Sequence, residues 1–192
     1  MAQPALAFSA AALATVMTLS ALNHSDQAAF TAFLGPLFEH SPWVAAETWA
    51  HRPFRDEAHL HAALCGTMLA AAPERQLSLI RAHPDLAGRL ARQKQLTAES
   101  NREQASAGLD QLSDAELAEF QRLNDAYRAK FGFPFVICAR LNAKAAILAA
   151  MQARLEQDPA AEQATALAEI GRIAGLRLRD ALPVHPESPR NR

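Results

Sequence analysis

Apolar residues recur along most of this chain at intervals of three and four, the spacing of helices that bury one face. After Ser25-Asp26, residues Phe30, Phe33, Leu34, Leu37 and Phe38 form one such face, and Gly35-Pro36 should kink that helix. Ser41-Pro42 reads as an N-cap followed by a first-turn proline, opening a short helix through Trp43 and Trp49. Asp56 caps the next, with a stripe of Leu60, Leu64 and Met68, and Pro73 ends it and begins another through Leu77 and Ile80. Thr97 caps a helix that stops near Gly108. Ser113 and Glu116 are spaced as a capping box ahead of Leu117, Phe120, Leu123 and Tyr127. A helix from about Ala143 carries Ile147, Leu148, Met151 and Leu155, and Asp158-Pro159 starts the last, with Leu167, Ile170, Ala174 and Arg177 along it. No strand pattern and no fixed-period repeat competes. The reading is all-α, a single irregular helical bundle of about eight or more helices.

Composition agrees. Of 192 residues, 50% are hydrophobic and 20% charged, the balance of an ordinary globular domain. A net charge of -1 lacks the basic footprint of a nucleic-acid binder or a polybasic membrane anchor. No apolar run reaches the roughly 18 residues of a membrane span. Cys65 and Cys138 are the two cysteines, too few for a disulfide framework, so a reducing, cytoplasmic compartment is expected. Residues 1–16 are alanine-rich without a basic start, and Met17 opens a more typical beginning. They are read as a dispensable extension, 17–182 as the helical domain, and the proline-punctuated 183–192 as a disordered tail.

Three segments depart from core patterning. In Ala82-His83-Pro84-Asp85-Leu86-Ala87-Gly88, the proline pushes His83 out of helical geometry. His83 then either faces a cavity as a general acid–base or caps the preceding helix. Ser100, Glu103 and Gln104 share one helix face, which is either a ligand-binding surface or a solvated one. Lys130-Phe131-Gly132-Phe133-Pro134-Phe135-Val136-Ile137-Cys138 is apolar yet cannot be a regular helix. Its backbone groups need partners, supplied either by a ligand or by neighbouring side chains. His59 and His61 point to different helix faces, no His-Glu-x-x-His occurs, and a metal site has little support. Cys138, in an apolar setting, is a blunted nucleophile.

These strings, in order, resemble the 2-oxo-4-hydroxy-4-carboxy-5-ureidoimidazoline (OHCU) decarboxylase family, whose enzymes complete the conversion of urate to (S)-allantoin. The resemblance rests on Phe38-Glu39-His40-Ser41-Pro42-Trp43, Arg52-Pro53-Phe54, His83 to Gly88, Ser100-x-x-Glu103-Gln104 leading to Gly108-Leu109, Leu123-Asn124-x-x-Tyr127-x-x-Lys130 through Phe135, and Ile173-x-x-Leu176-Arg177-Leu178. It implies an all-α homodimer acting on a small molecule without metal or organic cofactor. His83 corresponds to the catalytic histidine, with Glu103 orienting it or holding ureido N–H groups. Pro84, Ser100 and Gln104 would contact substrate, as would the loop Phe135, Val136, Ile137, Cys138 and Ala139, largely through its backbone. Arg177 is the expected site arginine and Arg140 its competitor. Two other classes fit less of the sequence: a helical module binding a purine-derived heterocycle, and an interaction protein using Phe131, Phe133 and Phe135 as a partner surface.

Overall fold

The computed structural model describes residues 17–88 and 96–182. The expectations for 1–16 and 183–192 lie outside the described residues. Among those described, every regular element is helical: α1 (Leu19–His24), α2 (Gln27–Leu34), α3 (Trp43–Thr48), α4 (Glu57–Ala70), α5 (Pro73–Arg81), α6 (Ala98–Ser106), α7 (Asp114–Phe131), α8 (Lys144–Arg154) and α9 (Pro159–Ala181), with short 3-10 turns between some of them. No described helix is long and apolar enough to cross a membrane.

The polar signals at the helix starts act as their chemistry dictates. Asp26, Asp56, Thr97 and Asp158 each accept first-turn backbone N–H groups that would otherwise lack partners. Both arms of the Ser113–Glu116 capping box form. Two boundaries differ from expectation. The Ser41 hydroxyl makes no cap bond; α3 begins at Trp43, and the Ser41 carbonyl takes the Val44 N–H instead. The helix α1, capped by the Thr18 side chain, is six residues long, too short for a period to announce it. At Gly35 the chain tightens into a 3-10 turn, Gly35–Leu37, where the kink was expected.

The core forms where the stripes meet. Phe30, Leu34, Leu60, Leu64, Met68, Phe120, Ile147 and Met151 are all essentially inaccessible. The long helix α9 is the axis, packing against α4, α5 and α7 and against the Gly35–Leu37 turn. Its approach to α4 depends on missing side chains. The His61 Nε2–H donates to the Gly171 carbonyl at 2.8 Å, and a Cβ at Gly175 would stand 3.0 Å from that same nitrogen. Gly66, on the exposed side of α4, has nothing within 4 Å of such a Cβ. Two helical glycines should therefore respond with opposite signs. Gly66→Ala is expected to stabilise by about 1 kcal/mol through helix propensity, whereas Gly175→Val is expected to destabilise by about 1–3 kcal/mol through overpacking. Urea unfolding of the two variants checks both signs.

Candidate active site

The sequence breaks α5 at Pro84, and the structure shows what the break achieves. The His83 N–H still reaches the Ile80 carbonyl at 3.1 Å, a tight closing turn just beyond the end of α5. Its Nδ1 lies 2.9 Å from the Leu79 carbonyl. A carbonyl only accepts, so Nδ1 carries the proton and Nε2 keeps its lone pair. The ring both caps the helix and lines a cleft. It is 7% exposed, and desolvation pushes its pKa down to about 4. Arg177 and His40 push the same way, against the Leu79 hydrogen bond and Glu39. At neutral pH His83 is an uncharged imidazole able to accept a proton.

The turn after His83 is pinned by neighbouring side chains. Ala87 adopts a left-handed φ of 51°, which costs a non-glycine residue energy. Its N–H donates to Gln104 Oε1 at 3.0 Å. Asn124 Nδ2 holds the Leu86 carbonyl at 2.9 Å, and Arg128 pairs with Asp85 at 2.9 Å. A Cβ on Gly88 would come within 2.8 Å of the Asp85 Cβ, so the turn closes only around glycine. Gln104 thus does structural work here as well as lining the cleft.

The cleft is narrow and opens to solvent. His83, Pro84, Ser100, Glu103, Gln104, Phe135, Val136, Ile137, Ala139 and Arg177 line it, together with Leu86 and Ile173. Of the expected loop residues Cys138 alone stays out: its N–H donates to Glu169 at 2.9 Å, and burial pushes its thiol pKa up. Arg140 is not in this lining; it pairs with Asp180 and shares a neighbouring cavity with Glu103 and Arg177. Arg177 is 6% exposed and meets both oxygens of Glu103, at 2.8 and 2.7 Å. Each of those oxygens accepts one guanidinium N–H, and the Leu79 carbonyl lies at the Nδ1 side of His83.

Glu39 is the polar centre that sequence reasoning passed over. It is 3% exposed and accepts from Thr97 Oγ1 at 2.9 Å, Ser100 Oγ at 3.1 Å and Arg177 Nη1 at 3.3 Å. Its signals were its place in the Phe38–Trp43 string and a carboxylate directly following the apolar face that ends at Phe38. The buried Glu39 and Arg177 and the half-buried Glu103 therefore form a charged network beside a neutral histidine.

The aromatic string belongs mostly to the core. Phe131, Phe133 and Phe135 are 9%, 2% and 1% exposed and cluster around Tyr127. A partner surface made of these rings is thereby overturned. Only Phe135 reaches the cleft wall. Among the described residues, no group of three or more His, Cys, Asp or Glu stands close enough to hold a metal ion.

A buried base with a free lone pair, beside an arginine, suits an enzyme moving protons on a small polar substrate. The OHCU decarboxylase family model matches residues 23–179, and the chain belongs to that family. It is 43% identical over 166 residues to the 2-oxo-4-hydroxy-4-carboxy-5-ureidoimidazoline decarboxylase of Halalkalicoccus jeotgali, covering 86% of this chain and 92% of the relative. The mouse enzyme of the same name is 40% identical over 174 residues, covering 91% and 98%. A crystal structure of (S)-allantoin synthase superposes with a TM-score of 0.67 at 31% identity, covering 86% of this chain and 54% of that one.

Proposed function

We propose that this chain is a carboxy-lyase that converts 2-oxo-4-hydroxy-4-carboxy-5-ureidoimidazoline to (S)-allantoin, the closing step of urate degradation. Membership of the family supports the reaction, and the observation that carries the mechanism is the neutral His83 facing the cleft. Loss of carbon dioxide leaves an electron pair on carbon. In this substrate that carbon adjoins a ring C=N, so the pair moves onto nitrogen, which takes a proton from solvent. The role left to the protein is orientation and the remaining proton. His83 Nε2 accepts the substrate hydroxyl proton as that carbon becomes a carbonyl, and returns it to the neighbouring carbon. Delivery to one face alone makes one enantiomer.

Arg177 aligns the departing carboxylate, with Glu103 and Glu39 fixing the guanidinium. Ser100, Gln104, Pro84 and the backbone of the Phe135–Ala139 loop hold the ring. The same reading has the protein working in the cytoplasm as a homodimer, which light scattering of the purified chain tests. The activity itself is tested by carbon dioxide release from freshly made substrate, expected to run well above the spontaneous rate; release at the spontaneous rate removes the proposal.

The pH dependence follows from His83. Its neutral form is the active one, so kcat/KM is expected to rise as pH climbs through about 4 and to level off above. An acid limb centred near the ordinary histidine value of about 6.5 contradicts the buried-base account. Stability follows with a worked sign. The folded pKa lies below the unfolded one, so the unfolded chain binds the extra proton between them. Stability on the order of 3 kcal/mol is therefore present above about pH 6.5 and lost as pH falls toward 4.

A further inference from the structure

Residues 134–138 run without regular structure between α7 and the 3-10 turn Ala139–Leu141, and their peptide groups divide into two sets. Arg154 Nη1 donates to the Val136 carbonyl at 2.9 Å, and the Cys138 N–H donates to Glu169 Oε2 at 2.9 Å. The Cys138 carbonyl accepts from Leu141 N and Asn142 Nδ2, both at 3.0 Å. The Ile137 N–H and carbonyl and the Ala139 N–H have no partner among the described residues, and neither do the Phe135 N–H and carbonyl or the Val136 N–H. Ile137 and Ala139 both line the cleft. Successive residues of an extended chain turn their peptide groups to opposite edges. Clamping one edge therefore fixes where the other points.

The clamp is an unusual use of buried charge. Glu162 and Glu169 stand seven residues apart on α9, two turns along one face, and are 0% and 7% exposed. Glu162 binds Arg154 through both carboxylate oxygens and also takes the Tyr127 hydroxyl. The Arg154 guanidinium lies 4.4 Å from the Phe135 ring centroid. Burying two carboxylates and an arginine is costly, and apolar side chains would fill the space at least as well. What apolar side chains lack is the means to hold a backbone that makes no ladder of its own.

We propose that Glu169 and the Glu162–Arg154 pair are positioning residues: by gripping Val136 and Cys138 they set the peptide groups of Ile137 and Ala139 where the substrate ring meets them. This rests on the decarboxylase reading for its substrate, though the clamp itself can be tested without it. The test uses the full chain with Glu169→Leu and Glu169→Gln, measuring kcat, KM and the enantiomeric excess of allantoin. Glu169→Leu is expected to raise KM about tenfold and to lower the enantiomeric excess. Glu169→Gln, whose amide oxygen still accepts from Cys138, is expected to stay within about threefold of the unsubstituted protein on both. A purely structural role instead lowers the melting temperature of both variants and leaves KM and stereochemistry unmoved, which overturns the proposal.

Hydrogen exchange on the unsubstituted protein decides the matter even if Glu169→Leu does not fold. The Cys138 amide is expected to be protected like the core. The Ile137 amide is expected to exchange faster and to slow when (S)-allantoin is added. Equal exchange at the two amides overturns the clamp. If the unsubstituted protein turns over no substrate, the decarboxylase reading fails, and the contrast between Cys138 and Ile137 without allantoin still decides whether the clamp exists.

Discussion

Replacing His83 by asparagine is expected to lower kcat by about 10²–10⁴-fold, the usual contribution of a positioned general acid–base. The variant isolates chemistry from architecture. An asparagine amide can still donate to the Leu79 carbonyl, the partner of Nδ1 at 2.9 Å, so the end of α5 keeps its cap. It cannot take a proton at neutral pH. Folding should be little affected, and the burden of holding the His83–Gly88 turn stays with Gln104, Asn124 and Arg128. Steady-state kinetics beside thermal unfolding checks the separation. A variant that unfolds at the unsubstituted temperature yet loses turnover supports the assignment; one that keeps near-normal kcat removes His83 from the mechanism.

The second large effect is expected at Arg177, where function and stability cannot be separated by one substitution. Arg177 sits between the buried Glu39 and the half-buried Glu103, reaching Glu103 at 2.7 Å and Glu39 at 3.3 Å. Arg177→Met deletes the cation and strands both anions in a site of low exposure. Breaking a buried pair in this way costs about 3–5 kcal/mol, because the partner charge is left uncompensated. Activity should vanish with it. The triple variant, adding Glu39→Gln and Glu103→Gln, removes the stranded charge and is expected to recover most of the lost stability while remaining inactive. Chemical denaturation of the single and triple variants measures this. Equal destabilisation in both would mean that Arg177 contributes by packing, not by charge.

Local chemistry was legible in the sequence, and long-range pairing was not. The caps at Asp26, Asp56, Thr97 and Asp158 act within a turn, so residue type and spacing announce them. His83 was visible because Pro84 forbids its helix from continuing, and Ser100, Glu103 and Gln104 because helical spacing alone puts them on one face. Glu39 was not visible as a site residue, since its partners Ser100 and Arg177 lie 61 and 138 positions away. The choice between Arg177 and Arg140 was equally closed to sequence: burial among carboxylates distinguishes the first, and an exposed pairing with Asp180 the second. Glu162 and Glu169 were hidden for another reason. A carboxylate on a long helix reads as solvent-facing unless the backbone it serves, here more than twenty residues earlier, is known. The phenylalanines of 131–135 misled in part, because an irregular apolar segment looks alike whether its rings line a cleft or, as with Phe131 and Phe133, pack on Tyr127.

What sets the catalysed reaction apart is that the protein directs one stereochemical outcome where the unaided reaction gives none. Circular dichroism of substrate generated in the cuvette from urate, with this protein added last, tests it most directly. The expected result is a rapid decay of the substrate signal to that of optically active (S)-allantoin, lost in His83→Asn. Slow decay to an optically silent racemate, unchanged by the folded protein, would contradict it.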